Sequence, residues 1–281
     1  MTVPGAYLGP AEIRDLAQLL DLQPTKKLGQ NFVVDANTVR RIVTIAGVAD
    51  GDRVLEVGPG LGSLTLGLLS AGASVVAVEI DRRLAEQLPK TVSVLLPGAP
   101  LQVVCADAMV ITELPSAPER LVANLPYNIS VPVLLHLLEH FPSLQTGLVM
   151  VQAEVGQRIA APPGSKVYGG PSAKAAWYGQ WRTAGQVSRQ VFWPVPNVDS
   201  ILIGFERHST QVGSDAERRE TFAIIDAAFG QRRKMLRQSL LGIFGASAVS
   251  TLERAGIDPT RRAEELSLSD FLAIARVDRS A

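Results

Sequence analysis

Glu56-Val57-Gly58-Pro59-Gly60-Leu61-Gly62 decides how this chain folds. It closes the apolar run Arg53–Val57, which reads as a buried strand, and opens Ser63–Ala71, which reads as a helix with Gly72 placed to stop it. Glycines between a strand and a helix let the backbone turn sharply and approach a ligand closely. The spacing is G-x-G-x-G, and Ser63 stands where a dehydrogenase has its third glycine.

The same alternation continues outward. Ser74–Glu79 reads as the second strand, and Asp81 caps the helix after it. Leu101–Cys105, Leu121–Ala123 and Gly147–Ala153 read as further strands, with a helix over Val131–Glu139. Strands alternating with helices imply a parallel sheet covered on both faces, an α/β fold. Upstream, residues 11–20 and 36–47 read as helices around the loop Pro24–Asp35. Val187–Val191 and Val198–Glu206 read as two later strands, a hairpin joined through Phe192–Asn197. Beyond His208, a surface linker residue on this reading, the pattern is helical: Ala216–Phe229, Arg232–Ile243, Ala248–Ala255 and Ser269–Ala275, with Gln211–Ser214 as linker. The expected division is an α/β domain over 1–207 and a smaller, all-helical domain over 208–281.

A length of 281 residues and 47% hydrophobic content allow a sizeable core. No apolar run reaches the roughly 18 residues of a membrane span, and Met1–Pro10 has neither the basic residue nor the apolar stretch of a secretory signal. The lone Cys105 excludes an intramolecular disulfide framework and is expected to pack as a small hydrophobe. The expected location is the cytoplasm.

Net charge is zero, but its distribution is uneven. Val155–Val198 contains no acid, yet carries Arg158, Lys166, Lys174, Arg182 and Arg189, interleaved with Tyr168, Trp177, Tyr178, Trp181, Phe192 and Trp193. Ala227–Leu252 is also acid-free and holds Arg232, Arg233, Lys234 and Arg237; Lys26 and Lys27 form a third basic point. A single such cluster reads as a solvated face. Together they fit a surface that tracks phosphates and stacks bases.

Glu79 ends its strand 21 residues after Gly58, where an acid can accept from both hydroxyls of a ribose. Asp107 follows the third strand, the position of an adenine contact. Asn124-Leu125-Pro126-Tyr127 puts an amide, a bend without an N–H at Pro126, and an aromatic ring at another strand end. Those parts suit chemistry on the exocyclic amine of an unstacked base; alone, they fit an ordinary strand-end turn equally well. His136 and His140 are four residues apart on one helix, but H-E-x-x-H and a third ligand are missing, so no metal site is expected. No nucleophile elbow or Walker A loop occurs.

With these residues placed, the chain resembles the bacterial small-subunit (16S) ribosomal RNA adenine dimethyltransferases over nearly its whole length. Lys26-Lys27-Leu28-Gly29-Gln30-Asn31-Phe32 resembles the family's N-terminal signature, Val54–Thr65 its cofactor loop, and Val78-Glu79-Ile80-Asp81 its ribose-binding segment. Asp107-Ala108, Asn124–Ser130, Phe192-Trp193-Pro194-Val195-Pro196-Asn197-Val198-Asp199-Ser200, Ala228–Lys234, Arg262-Ala263-Glu264 and Leu266-Ser267 match further motifs. Two departures stand out: Pro171 interrupts the usual Y-G-x-L-S-V, and Asn197 replaces a common lysine.

The resemblance implies a class I, Rossmann-like S-adenosylmethionine-dependent methyltransferase domain followed by a helical RNA-docking domain. It implies that Asn31, Val33, Gly58, Gly60, Glu79, Asp107 and Asn124 line the S-adenosylmethionine site. Asn124 and the Leu125 carbonyl would hold the target amine on the bend made by Pro126, with Tyr127 and Phe192 sandwiching the adenine. The substrate would be two adjacent adenosines near the 3′ end of 16S rRNA in the immature small subunit, dimethylated by a monomeric enzyme during ribosome assembly. Two alternatives remain at this stage: a 23S rRNA adenine methyltransferase of the antibiotic-resistance type, and a non-catalytic assembly factor on the same fold.

Overall fold

The structure, a computed structural model, describes residues 7–22 and 31–277. The basic point Lys26–Lys27 lies outside the described residues. Helix α1 spans Pro10–Leu19, strand β1 Phe32–Val33 and α2 Ala36–Ala46. The alternating unit then runs through β2 (Arg53–Val57), α3 (Ser63–Ser70), β3 (Ser74–Glu79), α4 (Arg82–Leu95), β4 (Leu101–Cys105), β5 (Arg120–Asn124), α5 (Ser130–His140) and β6 (Thr146–Gln152). After α6 (Ala153–Ile159) and α7 (Gly170–Ala175) come β7 (Gly179–Val187), β8 (Phe192–Trp193) and β9 (Ser200–Arg207). The chain continues through α8 (Asp215–Gly230), α9 (Leu236–Ser239), α10 (Leu241–Phe244), α11 (Ala248–Arg254) and α12 (Leu268–Val277).

Local chemistry explains the boundaries. Asp35 caps α2 by accepting from Thr38 N at 2.8 Å, and Asp81 caps α4 by accepting from Arg83 N at 3.0 Å. Helix α3 is buried from Ser63 through Leu69, which is why its sequence is apolar all round.

Strands order as β4-β3-β2-β5-β6-β9-β7. Pairs from β4 through β6 are parallel, and β9 runs antiparallel to β6 with Gln152 opposite Ser200. The chain leaves β2 toward β3 on one side and returns through β5 on the other. That reversal opens a crevice at the carboxyl ends of the strands, the place where open α/β sheets bind ligands. A two-stranded ribbon lies apart from this sheet: β1 pairs antiparallel with β8, Phe32 opposite Trp193 and Val33 opposite Phe192.

The chain forms two compact units that do not follow the single expected break at 207/208. One comprises Met1–Gly156 and Arg182–Glu206; the other comprises Gln157–Trp181 and Arg207–Ala281. Residues 157–181 join the helices because their apolar side chains are core for them. Tyr168 and Ala173 are buried with Ile225, Leu236, Leu266 and Phe271. The Tyr168 hydroxyl donates to Leu266 O at 2.9 Å, and its ring meets Phe229 edge-on. A stretch lacking clear periodicity thus folds by packing on partners distant in sequence.

Other expectations are corrected. Val187–Val191 is not a strand: β7 ends at Val187, and Arg189–Val191 is a 3₁₀ turn capped by the Ser188 side chain. Phe192–Asn197 is not a hairpin loop, since Phe192–Trp193 pairs with β1. Helix Arg232–Ile243 does not form as one piece, because Gln231 leaves helical geometry and Met235 is extended. Arg232–Lys234 sit in a turn. Tyr168, Trp177, Tyr178 and Phe192 are buried, so they are core rings rather than a stacking surface. Cys105 is exposed, because it ends the edge strand β4. His208 is half-buried, with Nε2 hydrogen-bonded to Ala176 O at 2.8 Å.

Candidate active site

The crevice is lined by the carboxyl ends of four strands and the turns after them. From β2 come Glu56, Val57, Gly58 and Gly60; from β3, Glu79 and Ile80; from the turn after β4, Asp107 and Ala108; from the end of β5, Asn124 and Pro126. Asn31, Phe32 and Val33 close it from the ribbon side. All of Asn31, Val33, Gly58, Gly60, Glu79, Asp107 and Asn124 therefore face one cleft, although they span 94 positions from Asn31 to Asn124.

The glycine loop is shaped by its contacts. Gly60 has φ +58°, and a Cβ there would lie 2.8 Å from Phe32 Cε1. Gly58, with φ +68°, has its open side toward Asn124 O and Pro126 Cδ, 3.8 and 3.9 Å from where a Cβ would be. Any side chain at Gly58 would enter the space between the loop and the end of β5.

Glu79 is 5% exposed, and its carboxylate accepts from Gly60 N at 3.1 Å and Asp81 N at 2.9 Å. Burial pushes its pKa up, while those two N–H groups hold it down. Asp107 accepts from Met109 N at 2.8 Å, which fixes the turn it sits on. Asn124 donates through Nδ2 to Asn31 O at 3.0 Å, so its amide orientation is set from the ribbon side. Its Oδ1 is buried and has no hydrogen-bond partner. A buried, unpartnered acceptor costs free energy unless something else satisfies it.

The remaining predicted site residues lie elsewhere. Leu125 is buried and donates its N–H to Met150 O at 3.1 Å. Tyr127 is half-buried, and its hydroxyl lies 2.5 Å from Ser200 Oγ. Phe192 is 2% exposed, in a core with Phe32, Val33 and Val187. Neither Tyr127 nor Phe192 lines the crevice, and the Phe192 ring presents no free face. Among the described residues no group of three His, Cys, Asp or Glu could hold a metal ion; His136 Nε2 is bonded to Ile111 O.

Sequence reasoning gave Glu56 no role. It is 1% exposed, lines the crevice, and accepts from Thr65 Oγ1 at 2.6 Å. Burial, with Glu79 nearby, pushes its pKa up to about 8, against the opposing Thr65 hydrogen bond. The only signal in sequence was an acid inside an apolar strand. Because the folded pKa lies above the unfolded one, the folded protein holds a proton the unfolded chain has lost between about pH 4.5 and 8. Stability due to this group is full below that window and falls as pH rises through it. Glu56→Gln keeps an acceptor for Thr65 and removes the titration. Its stability relative to the parent should improve from pH 5 to pH 8, by at most about 1.4 kcal/mol per pH unit. Thermal melts at both values check this; a difference that does not change with pH defeats it.

Comparison with known proteins decides the family. The model of the ribosomal RNA adenine dimethylase family matches residues 22–278. The chain belongs to the ribosomal RNA adenine dimethylases. A curated relative, ribosomal RNA small subunit methyltransferase A of Leifsonia xyli subsp. xyli, is 70% identical over 272 residues, covering 95% of this chain and 97% of the relative. Among solved structures, a dimethyladenosine transferase from Plasmodium falciparum superposes with TM-score 0.73 at 24% identity, covering 85% of this chain and 94% of that one. The 23S rRNA methyltransferase ErmE superposes with TM-score 0.64 at 25% identity, covering 88% and 99%. The 23S enzyme thus shares the fold at 25% identity, whereas the relative named a small-subunit methyltransferase is 70% identical. This adenine dimethylase is an S-adenosylmethionine-dependent enzyme with a class I, Rossmann-like domain, and it dimethylates adenine in ribosomal RNA. The non-catalytic and 23S alternatives are set aside. No helix among the described residues is long and apolar enough to cross a membrane.

The crevice fits the cofactor. Gly58 leaves backbone open where a side chain would fill the space, Gly60 lets the loop pack close against Phe32, and Glu79 offers a fixed carboxylate.

Proposed function

We propose that this enzyme dimethylates two adjacent adenosines near the 3′ end of 16S rRNA in the immature small subunit, acting as a cytoplasmic monomer. The observation that carries the site assignment is Asn124 Oδ1, buried and unpartnered at the end of β5 beside the glycine loop. It is an acceptor held ready for an N–H that the protein does not supply.

On this reading Glu79 accepts from the ribose hydroxyls of the cofactor, Asp107 meets its adenine, and Gly58, Gly60, Asn31 and Val33 line its path. S-adenosylmethionine supplies an electrophilic methyl group on a sulfonium. The exocyclic amine of adenine is a weak nucleophile because its lone pair is delocalised into the ring. Asn124 Oδ1 and the Leu125 carbonyl accept from that amine and stabilise the positive charge that grows on nitrogen as it is methylated. Pro126 holds the bend that aims them, and its missing N–H leaves no competing donor there. The titratable side chains lining the crevice are Glu56, Glu79 and Asp107, and each is bonded within the protein. A strong base is not required, since a methylated ammonium on an aromatic ring loses its proton readily. Tyr127 stacks on the target base, and Phe192 joins it only if the β1–β8 ribbon shifts to uncover its ring. Methyl transfer to immature small subunits, with mass spectrometry of the RNA, tests the whole reading: two dimethyladenosines are expected, and methylation confined to 23S rRNA overturns it.

RNA docking rests on the helical unit. Arg232 is engaged within the protein, donating to Glu264 at 2.9 Å and to Lys166 O at 2.7 Å. Arg233, Lys234 and Arg237 are exposed and are the phosphate contacts we propose, together with Lys26 and Lys27. Replacing Arg233, Lys234 and Arg237 by alanine should weaken subunit binding and lower the logarithmic salt slope by roughly 2–3, at about 0.7–0.9 per contact. Cofactor affinity should stay the same. An unchanged salt slope would remove these side chains from the RNA surface.

A further inference from the structure

We infer that Ser200 is a positioning residue for methyl transfer, holding the Tyr127 ring in the orientation that stacks on the target adenine. The inference rests on the reading of Tyr127 as the stacking ring.

Tyr127 stands in the turn between β5 and α5, where no strand or helix hydrogen bonds fix it. The turn is anchored at its start, where Leu125 N donates to Met150 O at 3.1 Å. At Tyr127 itself, Ser130 Oγ donates to Tyr127 O in a long contact at 3.5 Å. Neither sets where the ring points, which is decided by rotation about the Cα–Cβ bond. The hydroxyl-to-hydroxyl bond to Ser200 at 2.5 Å does, because it pins the far end of the ring.

Ser200 is well placed to act as that pin. It is fully buried at the first position of β9 and paired across the sheet with Gln152. The strand start is tied again where Ala153 N donates to Asp199 O at 3.0 Å. The residues that follow, Ile201, Leu202 and Ile203, are all apolar and buried. Alanine would satisfy packing at the neighbouring position without any hydroxyl to pair, so the hydroxyl is explained by its partner rather than by the core. Burial and the nearby Asp199 raise the Tyr127 pKa, which keeps the phenol protonated and able to donate. Sheet register thus fixes one end of a ring whose other end is on a loop. Stacking on a base rewards that arrangement, because a misplaced base costs rate even when binding survives.

The test compares Ser200→Ala, Ser200→Thr, Tyr127→Phe, Tyr127→Ala and the double variant Ser200→Ala/Tyr127→Phe, in the full-length protein with small-subunit RNA particles. Ser200→Ala and Tyr127→Phe should each lower kcat about threefold to tenfold, the range expected for loss of one hydrogen bond. The double variant should be no slower than either single one, since both remove the same bond. Ser200→Thr should restore most of the rate, and S-adenosylmethionine affinity by calorimetry should not change in any of them. Tyr127→Ala should be slower than all of these. If Tyr127→Ala is slow while Ser200→Ala and Tyr127→Phe keep the parent kcat, the stacking role stands and the positioning role of Ser200 is overturned. A normal rate for Tyr127→Ala overturns both. Loss of melting temperature with unchanged kcat marks Ser200 as a structural residue only, and additive losses in the double variant show that the two hydroxyls act separately.

Discussion

Replacing Asn124 by alanine is expected to lower kcat about 10²–10³-fold, the usual effect of removing one preorganised group aimed at charge developing in a transition state. Two features of this amide make the effect large. Oδ1 is buried without a partner, so its interaction with the amine forms in a site from which water is excluded. Nδ2 is bonded to Asn31 O, so the amide cannot turn to present its donor side instead. Single-turnover methyl transfer measures the loss. Asn124→Asp is the sharper control, because it keeps acceptors but replaces the donor facing Asn31 O with a repelling oxygen. It should remain well below the parent rate. A rate near that of the parent for Asn124→Ala would remove this side chain from the chemistry and leave the role to the Leu125 carbonyl.

Glu79→Ala should weaken S-adenosylmethionine binding at least tenfold, since hydrogen bonds to a charged group contribute about 1.5–3 kcal/mol each. It also strands the Gly60 and Asp81 N–H groups that the carboxylate now satisfies, so part of the loss arises from the glycine loop itself. Glu79→Gln separates the parts: one amide oxygen can satisfy one N–H, but the charge is gone. Burial raises the Glu79 pKa, so the carboxylate protonates at higher pH than an exposed one. Cofactor affinity should accordingly fall as pH drops toward that raised value. Calorimetry across pH, with circular dichroism to show an intact fold, checks both results. Unchanged affinity in Glu79→Ala would end the ribose assignment.

The α/β fold was legible because its signals are local. The first strands read at Arg53–Val57, Ser74–Glu79 and Leu101–Cys105 occur at those positions, and Asp81 does cap the next helix. A buried parallel strand is a short apolar run bounded by turn residues, and no distant partner is needed to see it. Glu79, Asp107 and Asn124 were found for the same reason, as polar residues at the carboxyl ends of such runs. Legibility failed wherever a segment folds only against a distant one. Phe192–Trp193 has no periodicity of its own and becomes a strand by pairing with Phe32–Val33. Tyr168 and Trp177 looked like an exposed aromatic surface because the chain around them is basic and acid-free, yet both are buried.

By itself, the sequence determined the parallel α/β core, the strand-end acids and the family to which the glycine loop and Asn124–Tyr127 belong. Only the tertiary structure decided that residues 157–181 pack with the helices, that Arg232 is engaged by Glu264, and that Ser200 holds Tyr127. The physical reason is the range of the interactions. Backbone turns and apolar runs are written in adjacent residues. Burial of a ring, pairing of a charge or a bond between hydroxyls 73 positions apart depends on which surfaces meet once the chain has closed on itself.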